Sequence, residues 1–166
     1  GKFYFKNIDA FENSNGWWNS IEVNDLNNDG LLDLVIGNHG ENSRFRATKS
    51  KPITMYINDF DDNNSLEQVI FQYNGDSSYT MALRHDLVMQ MPGLKKKYLK
   101  YNSYKNQTVH DIFNLEKIKS SHINYVYNLK PSAFINNGTG FSNWELPVES
   151  QFSNVFAVEI NDYNND

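Results

Sequence analysis

The sequence predicts a mainly β protein built from repeated strand–turn–strand units and interrupted by an α-helical insertion. Three observations predict it. An acidic, asparagine-rich turn flanked by β-branched residues recurs three times, turn-forming Asn and Gly punctuate the chain, and helical spacing is confined to the stretch between the second and third turns.

The first turn is Asp25-Leu26-Asn27-Asn28-Asp29-Gly30-Leu31-Leu32-Asp33, followed at once by Leu34-Val35-Ile36-Gly37. Oxygen-bearing side chains stand at alternate positions, and Gly30 lets the backbone turn sharply between them. A hard cation such as calcium takes six to eight oxygens at about 2.3–2.6 Å, and this spacing can aim several at one point. Asp25, Asn27 and Asp29 would give side-chain oxygens, Leu31 its carbonyl, and Asp33 would close the shell. An EF-hand loop needs Glu at its twelfth position and a helix afterwards. Here the twelfth residue is Ile36, and a short apolar strand follows instead.

The second turn follows Met55-Tyr56-Ile57-Asn58 and supplies Asp59, Asp61, Asn63 and Glu67, with Ser65 in the place of Leu31; Gln68-Val69-Ile70-Phe71 is its strand. Asn64 replaces Gly30, and Asn is among the few side chains that tolerate a left-handed backbone. The third copy, Val158-Glu159-Ile160-Asn161-Asp162-Tyr163-Asn164-Asn165-Asp166, matches Ile21 to Asp29 and offers Asp162, Asn164 and Asp166. Repeats of this kind cannot bury an apolar face alone, so they stack.

The loops leading into Leu-Val-Ile-Gly, with the Asn136-Asn137-Gly138-Thr139-Gly140-Phe141 hairpin, resemble FG-GAP/VCBS repeats of integrin-α-like β-propellers. The span from Asp25 through Gly37-Asn38-His39-Gly40-Glu41-Asn42, the middle loop and Met91-Pro92-Gly93-Leu94-Lys95-Lys96-Lys97 is similar to bacterial VCBS-repeat proteins, which often carry an ASPIC/UnbV module. The resemblance implies a partial β-propeller with calcium in its loops. The chain of 166 residues begins without Met and stops inside the third loop, and Phe3 precedes the first loop much as Phe141 precedes the third, so a fragment is expected. About two to three blades' worth of chain is present against about four to eight for a closed propeller. Open blade edges, available for self-association, are the consequence.

The expected organisation is blades with two calcium loops over 1–77, a helical insertion over 78–120, and further blade strands with the truncated third loop over 121–166. In the insertion, Met81 to Met89 forms a helical segment stopped by Pro92, Leu94, Tyr98 and Tyr101 follow at helical spacing, and Thr108 caps Val109-His110-Asp111-Ile112. Such helices cover an apolar sheet face or carry a recognition surface.

Net charge is −5 with no cysteine, which excludes a disulfide framework and argues against a nucleic-acid partner. No apolar run could span a bilayer. Lys95-Lys96-Lys97 reads as a solvated helix face, and Trp17-Trp18 as strand residues that alternate inward and outward. His39 is expected in a turn beside the first calcium site. The four histidines lack His-x-x-x-His spacing, and no Gly-x-Ser-x-Gly elbow or phosphate-binding loop is present. Three sequons, at Asn63, Asn106 and Asn137, are ordinary in a chain this rich in Asn.

The function expected is that of a calcium-binding, non-catalytic repeat module of a secreted or cell-surface bacterial protein, outside the cytoplasm or in the periplasm, presenting a surface to a protein or glycan. The alternatives are a fragment of a secreted polysaccharide-active enzyme and a purely structural scaffold.

Overall fold

Apolar residues at alternate positions make the strands, and the acidic turns fold them back on themselves. In the computed structural model, which describes residue 2 and residues 7–161, the order is β1 (Ser20–Asn24), β2 (Asp33–Gly37), β3 (Ile53–Asn58), β4 (Glu67–Asn74) and β5 (Ser77–Thr80). Five short helices follow, α1 (Arg84–Gln90), α2 (Leu94–Lys97), α3 (Tyr101–Tyr104), α4 (Val109–Ile112) and α5 (Leu115–Ser120). The last strands are β6 (His122–Val126), β7 (Ser132–Asn136) and β8 (Phe141–Trp144).

The chain forms two compact units, one of Gly1–Phe45 with Val126–Asp166 and one of Arg46–Tyr125. The first is built on a four-stranded sheet in the order β1-β2-β7-β8, and its recorded pairings are antiparallel. Asn38, just past the end of β2, is fully buried, donating to the carbonyls of Asn128 and Lys130 at 3.1 and 3.3 Å and accepting the His39 amide at 2.8 Å. Gly37, the last residue of β2, has no room for a side chain: a Cβ there would lie 2.4 Å from both the Ser20 hydroxyl and the Val155 carbonyl.

The second unit holds the sheet β5-β4-β3-β6 and the helices. Side-chain alternation along β4 buries Glu67, Val69 and Phe71, and the helices cover Val69 and Phe71 with Leu87, Met91, Tyr98, Tyr104, Ile112 and Ile118. Covering a sheet face is thus what this insertion does structurally. Residues 78–80, expected to begin the helical stretch, belong instead to the edge strand β5, because Gly75 at φ 65° closes a two-residue hairpin loop that returns the chain along β4. Helix starts at Arg84, and Thr108 caps α4 as expected, its amide and hydroxyl both donating to the Asp111 carboxylate at 2.9 and 2.7 Å.

Two further expectations change. Val158-Glu159-Ile160 joins no sheet; in the other copies the strand that pairs with this one follows the loop, and no such strand lies among the described residues. Trp17 and Trp18 precede β1, and neither is exposed: both are half-buried, Trp17 edge-on to Phe45 at 4.7 Å and Trp18 donating its indole N–H to the Ser14 carbonyl at 2.9 Å.

Candidate metal centre

The first two acidic turns have one backbone design. Each joins the strands of an antiparallel hairpin and closes on a pair, Asn24 with Asp33 in one and Asn58 with Glu67 in the other. In the first loop the Asp25 carboxylate accepts the amides of Asp29 and Gly30 at 3.1 and 2.7 Å; in the second, Asp59 accepts those of Asn63 and Asn64 at 3.0 and 2.8 Å. The closing carboxylate takes the amide of the loop's second residue, Leu26 to Asp33 at 2.8 Å and Phe60 to Glu67 at 2.9 Å. Leu31 and Ser65 donate to Asp29 and Asn63 at 2.8 and 2.7 Å. Left-handed residues coincide too: Asn28 and Gly30 at φ 59° and 85°, Asp62 and Asn64 at 61° and 65°.

In the second loop this framework gathers charge. One oxygen from each of Asp59, Asp61 and Glu67 lies within 4.8 Å of the others, an arrangement that could hold a metal ion. Glu67 is only 6% exposed because it sits on the inward face of β4. A buried carboxylate beside two others is costly unless a positive charge or hydrogen bonds compensate it. Burial pushes the Asp59 carboxyl up, but the amides of Asn64 and Asn63 and the Lys117 charge outweigh that, and it stands below its ordinary value. Lys117, from α5, donates to the Asp59 carbonyl oxygen and pairs with the Asp62 carboxylate. Its own affinity for a proton is raised, chiefly by the Asp62 hydrogen bond. The ammonium thus contacts a carbonyl and a fourth carboxylate, and its charge also acts on Asp59 and Asp61 without a recorded hydrogen bond to any of the three gathered carboxylates.

The first loop is knitted differently. Among the described residues, Asp25, Asp29 and Asp33 do not come together as closely as the second loop's carboxylates. Asp29 is turned to accept the Asn27 side-chain amide at 2.9 Å, and the two oxygens of fully buried Asp33 accept the amides of Leu26 and Asn136. Asn136, in the β7–β8 hairpin, also donates its side-chain amide to the Leu32 carbonyl at 3.2 Å, tying that hairpin to the loop. Asp25, Asn27 and Asp29 remain around one turn, tied by hydrogen bonds within the loop.

Asp162, Asn164 and Asp166 of the third copy, like Phe3, lie outside the described residues. His39 does not flank the first loop: it follows Gly37, at the opposite end of β2 from Asp33, with its ring edge-on to Trp17 at 5.1 Å. Lys95, Lys96 and Lys97 are exposed on α2, and Lys97 caps the carbonyl of Asp111. Sequence reasoning missed Lys117, Asn58 and Asn136. A signal existed for Asn58, since Asn precedes Asp in all three copies; in the first two its side-chain oxygen accepts the amide of that Asp at 2.9 Å. Lys117 and Asn136 come from distant segments, and no local pattern marks them.

No protein-family model matches the chain, and no curated protein or solved structure is significantly similar to it.

Proposed function

We propose that this chain is a calcium-stabilised β-repeat module of the FG-GAP/VCBS type, non-catalytic, whose loop cations hold strand hairpins together so that its surfaces can engage a protein or glycan. The observation that carries this reading is the convergence of Asp59, Asp61 and Glu67, with Glu67 buried on the inward face of β4. Three carboxylates and neutral Asn and carbonyl oxygens are the hard donors that calcium prefers, and the absence of gathered His or Cys among them disfavours zinc. Asp59, Asp61, Asn63, Glu67 and the Ser65 carbonyl would hold one ion. Asp25, Asn27, Asp29, Asp33 and the Leu31 carbonyl would hold another once Asn27 turns its amide away from Asp29. The bound cation supplies positive charge that offsets carboxylate repulsion and fixes the turn.

Antiparallel four-stranded sheets are the units from which propeller blades are made, and acidic hairpins with one shared design support a repeat architecture. Edge strands β1, β8, β5 and β6 are where further blades or a second copy would pair. Among the described residues no helix is long and apolar enough to cross a membrane. Neutral Asn among the ligands fits sites filled where calcium is about millimolar, which supports reading the module as one that works outside the cytoplasm, on a bacterial surface or in the periplasm. Melting curves in chelator and in millimolar calcium test the reading. Calcium should raise the melting temperature, and equal temperatures would refute it.

A further inference from the structure

The second loop differs from the first in what lies behind it. Its side chains alternate, so while Asp59 and Asp61 face the candidate ion position, Phe60 between them turns inward and is 9% exposed. Its ring stacks on Phe113, the residue that ends α4, with centroids 3.8 Å apart and planes inclined by 20°. The Phe60 amide is the one that donates to Glu67, so a single residue touches both a candidate ligand and the helical core.

The next helix, α5, grips the same loop twice. Lys117 reaches the Asp59 carbonyl and the Asp62 carboxylate, and Asn58, the residue before the loop, donates to the Lys117 carbonyl at 2.7 Å and the Ser120 hydroxyl at 2.9 Å. Helices of four and six residues are too short to persist alone, so the order of α4 and α5 depends on such contacts. In the first loop Leu26 stands where Phe60 stands, and the loop's tie is to strand β7, whose Asn136 amide donates to Asp33.

We propose that the second loop and helices α4 and α5 form one cation-responsive element, in which an ion held by Asp59, Asp61 and Glu67 stiffens both helices through Phe60, Phe113 and Lys117. The inference rests on the calcium reading of this loop and adds a consequence to it. Without the ion, mutual repulsion spreads the carboxylates and loosens the backbone of Asp59 and Phe60, and with it the aromatic stack and both α5 contacts. With the ion, Asp59 and Glu67 are fixed relative to one another, and the helices inherit that order. Linkage makes the effect reciprocal: whatever calcium does for the helices, their order does for calcium affinity. The helical insertion thereby becomes a surface whose order follows cation supply.

Hydrogen exchange read by mass spectrometry on the full chain, with and without calcium chloride, tests this beside calorimetric titration of the same samples. Amide exchange over residues 109–120 should slow about tenfold with calcium, a coupling in the usual range between linked sites. The slowing should persist in Asp25→Ala, which leaves the second loop intact, and vanish in Glu67→Gln and in Asp61→Asn. The second of these substitutes an exposed side chain and guards against a folding defect at buried Glu67. Calcium binding at the second loop with unchanged exchange over 109–120 would overturn the coupling while sparing the cation reading. No heat of binding would overturn both, and calorimetry separates the two failures.

Discussion

Oδ1 of Asp33 accepts the backbone amide of Asn136 at 2.7 Å, across 103 residues of sequence. Its other oxygen accepts the Leu26 amide, and the side chain is fully buried. Asp33 therefore joins the β1–β2 turn to the β7–β8 hairpin. Asp33→Ala strands two part-buried amides and should cost about 3 kcal/mol, since hydrogen bonds to charged groups contribute about 1.5–3 kcal/mol each and not all is lost after relaxation. Urea denaturation of the variant measures it, and a loss within experimental error of zero would contradict this role.

Gly30 and Asn64 occupy the same left-handed position, at φ 85° and 65°. A Cβ at Gly30 would meet nothing within 4 Å, so the cost of substitution there is one of backbone conformation alone. Gly30→Ala and Asn64→Ala should each destabilise by about 1 kcal/mol, whereas Gly30→Asn and Asn64→Gly should be close to neutral. Thermal melts of the four variants would show this ordering, and equal effects of Ala and Asn at position 30 would speak against it.

At Gly37 the obstacle is steric. The backbone carbonyl of Val155 lies where a methyl group would go, and backbone moves only with its neighbours. Gly37→Ala should cost about 1–3 kcal/mol as overpacking does. Denaturation midpoints report it directly.

Dependence on pH follows from three groups in the second unit. Asp59 titrates below its ordinary value of 3.8, so its stabilisation is complete above that pH and is lost as pH falls through the folded value. Asp111 behaves alike, held low chiefly by the Thr108 hydroxyl and then the Thr108 amide. Tyr98 works in the opposite direction. Burial, with Asp111 and Tyr104 nearby, pushes its phenol from 10.0 up to about 12, so its contribution is complete below pH 10 and disappears as pH rises toward 12. Circular dichroism should therefore show loss of helix in acid below about pH 4 and again at the alkaline end. Tyr98→Phe should abolish Tyr98's share of the alkaline loss; an unchanged alkaline limb would assign it to other groups.

The strands and the shared design of the loops were legible because they are local: alternating apolar residues, an Asp that folds onto amides four and five residues ahead, and a Gly or Asn where the backbone turns left-handed. The face to which Glu67 points was implicit in the period of two along β4, yet its burial depends on helices that arrive later in sequence. Residues 78–80 were read as the start of the helical stretch, although Gly75-Asp76 is a two-residue hairpin signal in its own right and the helical spacing begins only after it. Lys117 and Asn136 were invisible for a different reason. Each reaches a loop from a distant segment, and a single sequence records no such pairing.

Calcium binding by the loops is most directly tested by calorimetric titration into metal-stripped protein, repeated with Asp25→Ala and with Asp59→Ala. Two binding events in the unaltered chain, one lost in each variant and both accompanied by a higher melting temperature, are the predicted result. An unaltered chain that takes up no calcium and melts at the same temperature with and without it would contradict the account and leave the gathered carboxylates of Asp59, Asp61 and Glu67 in need of another explanation.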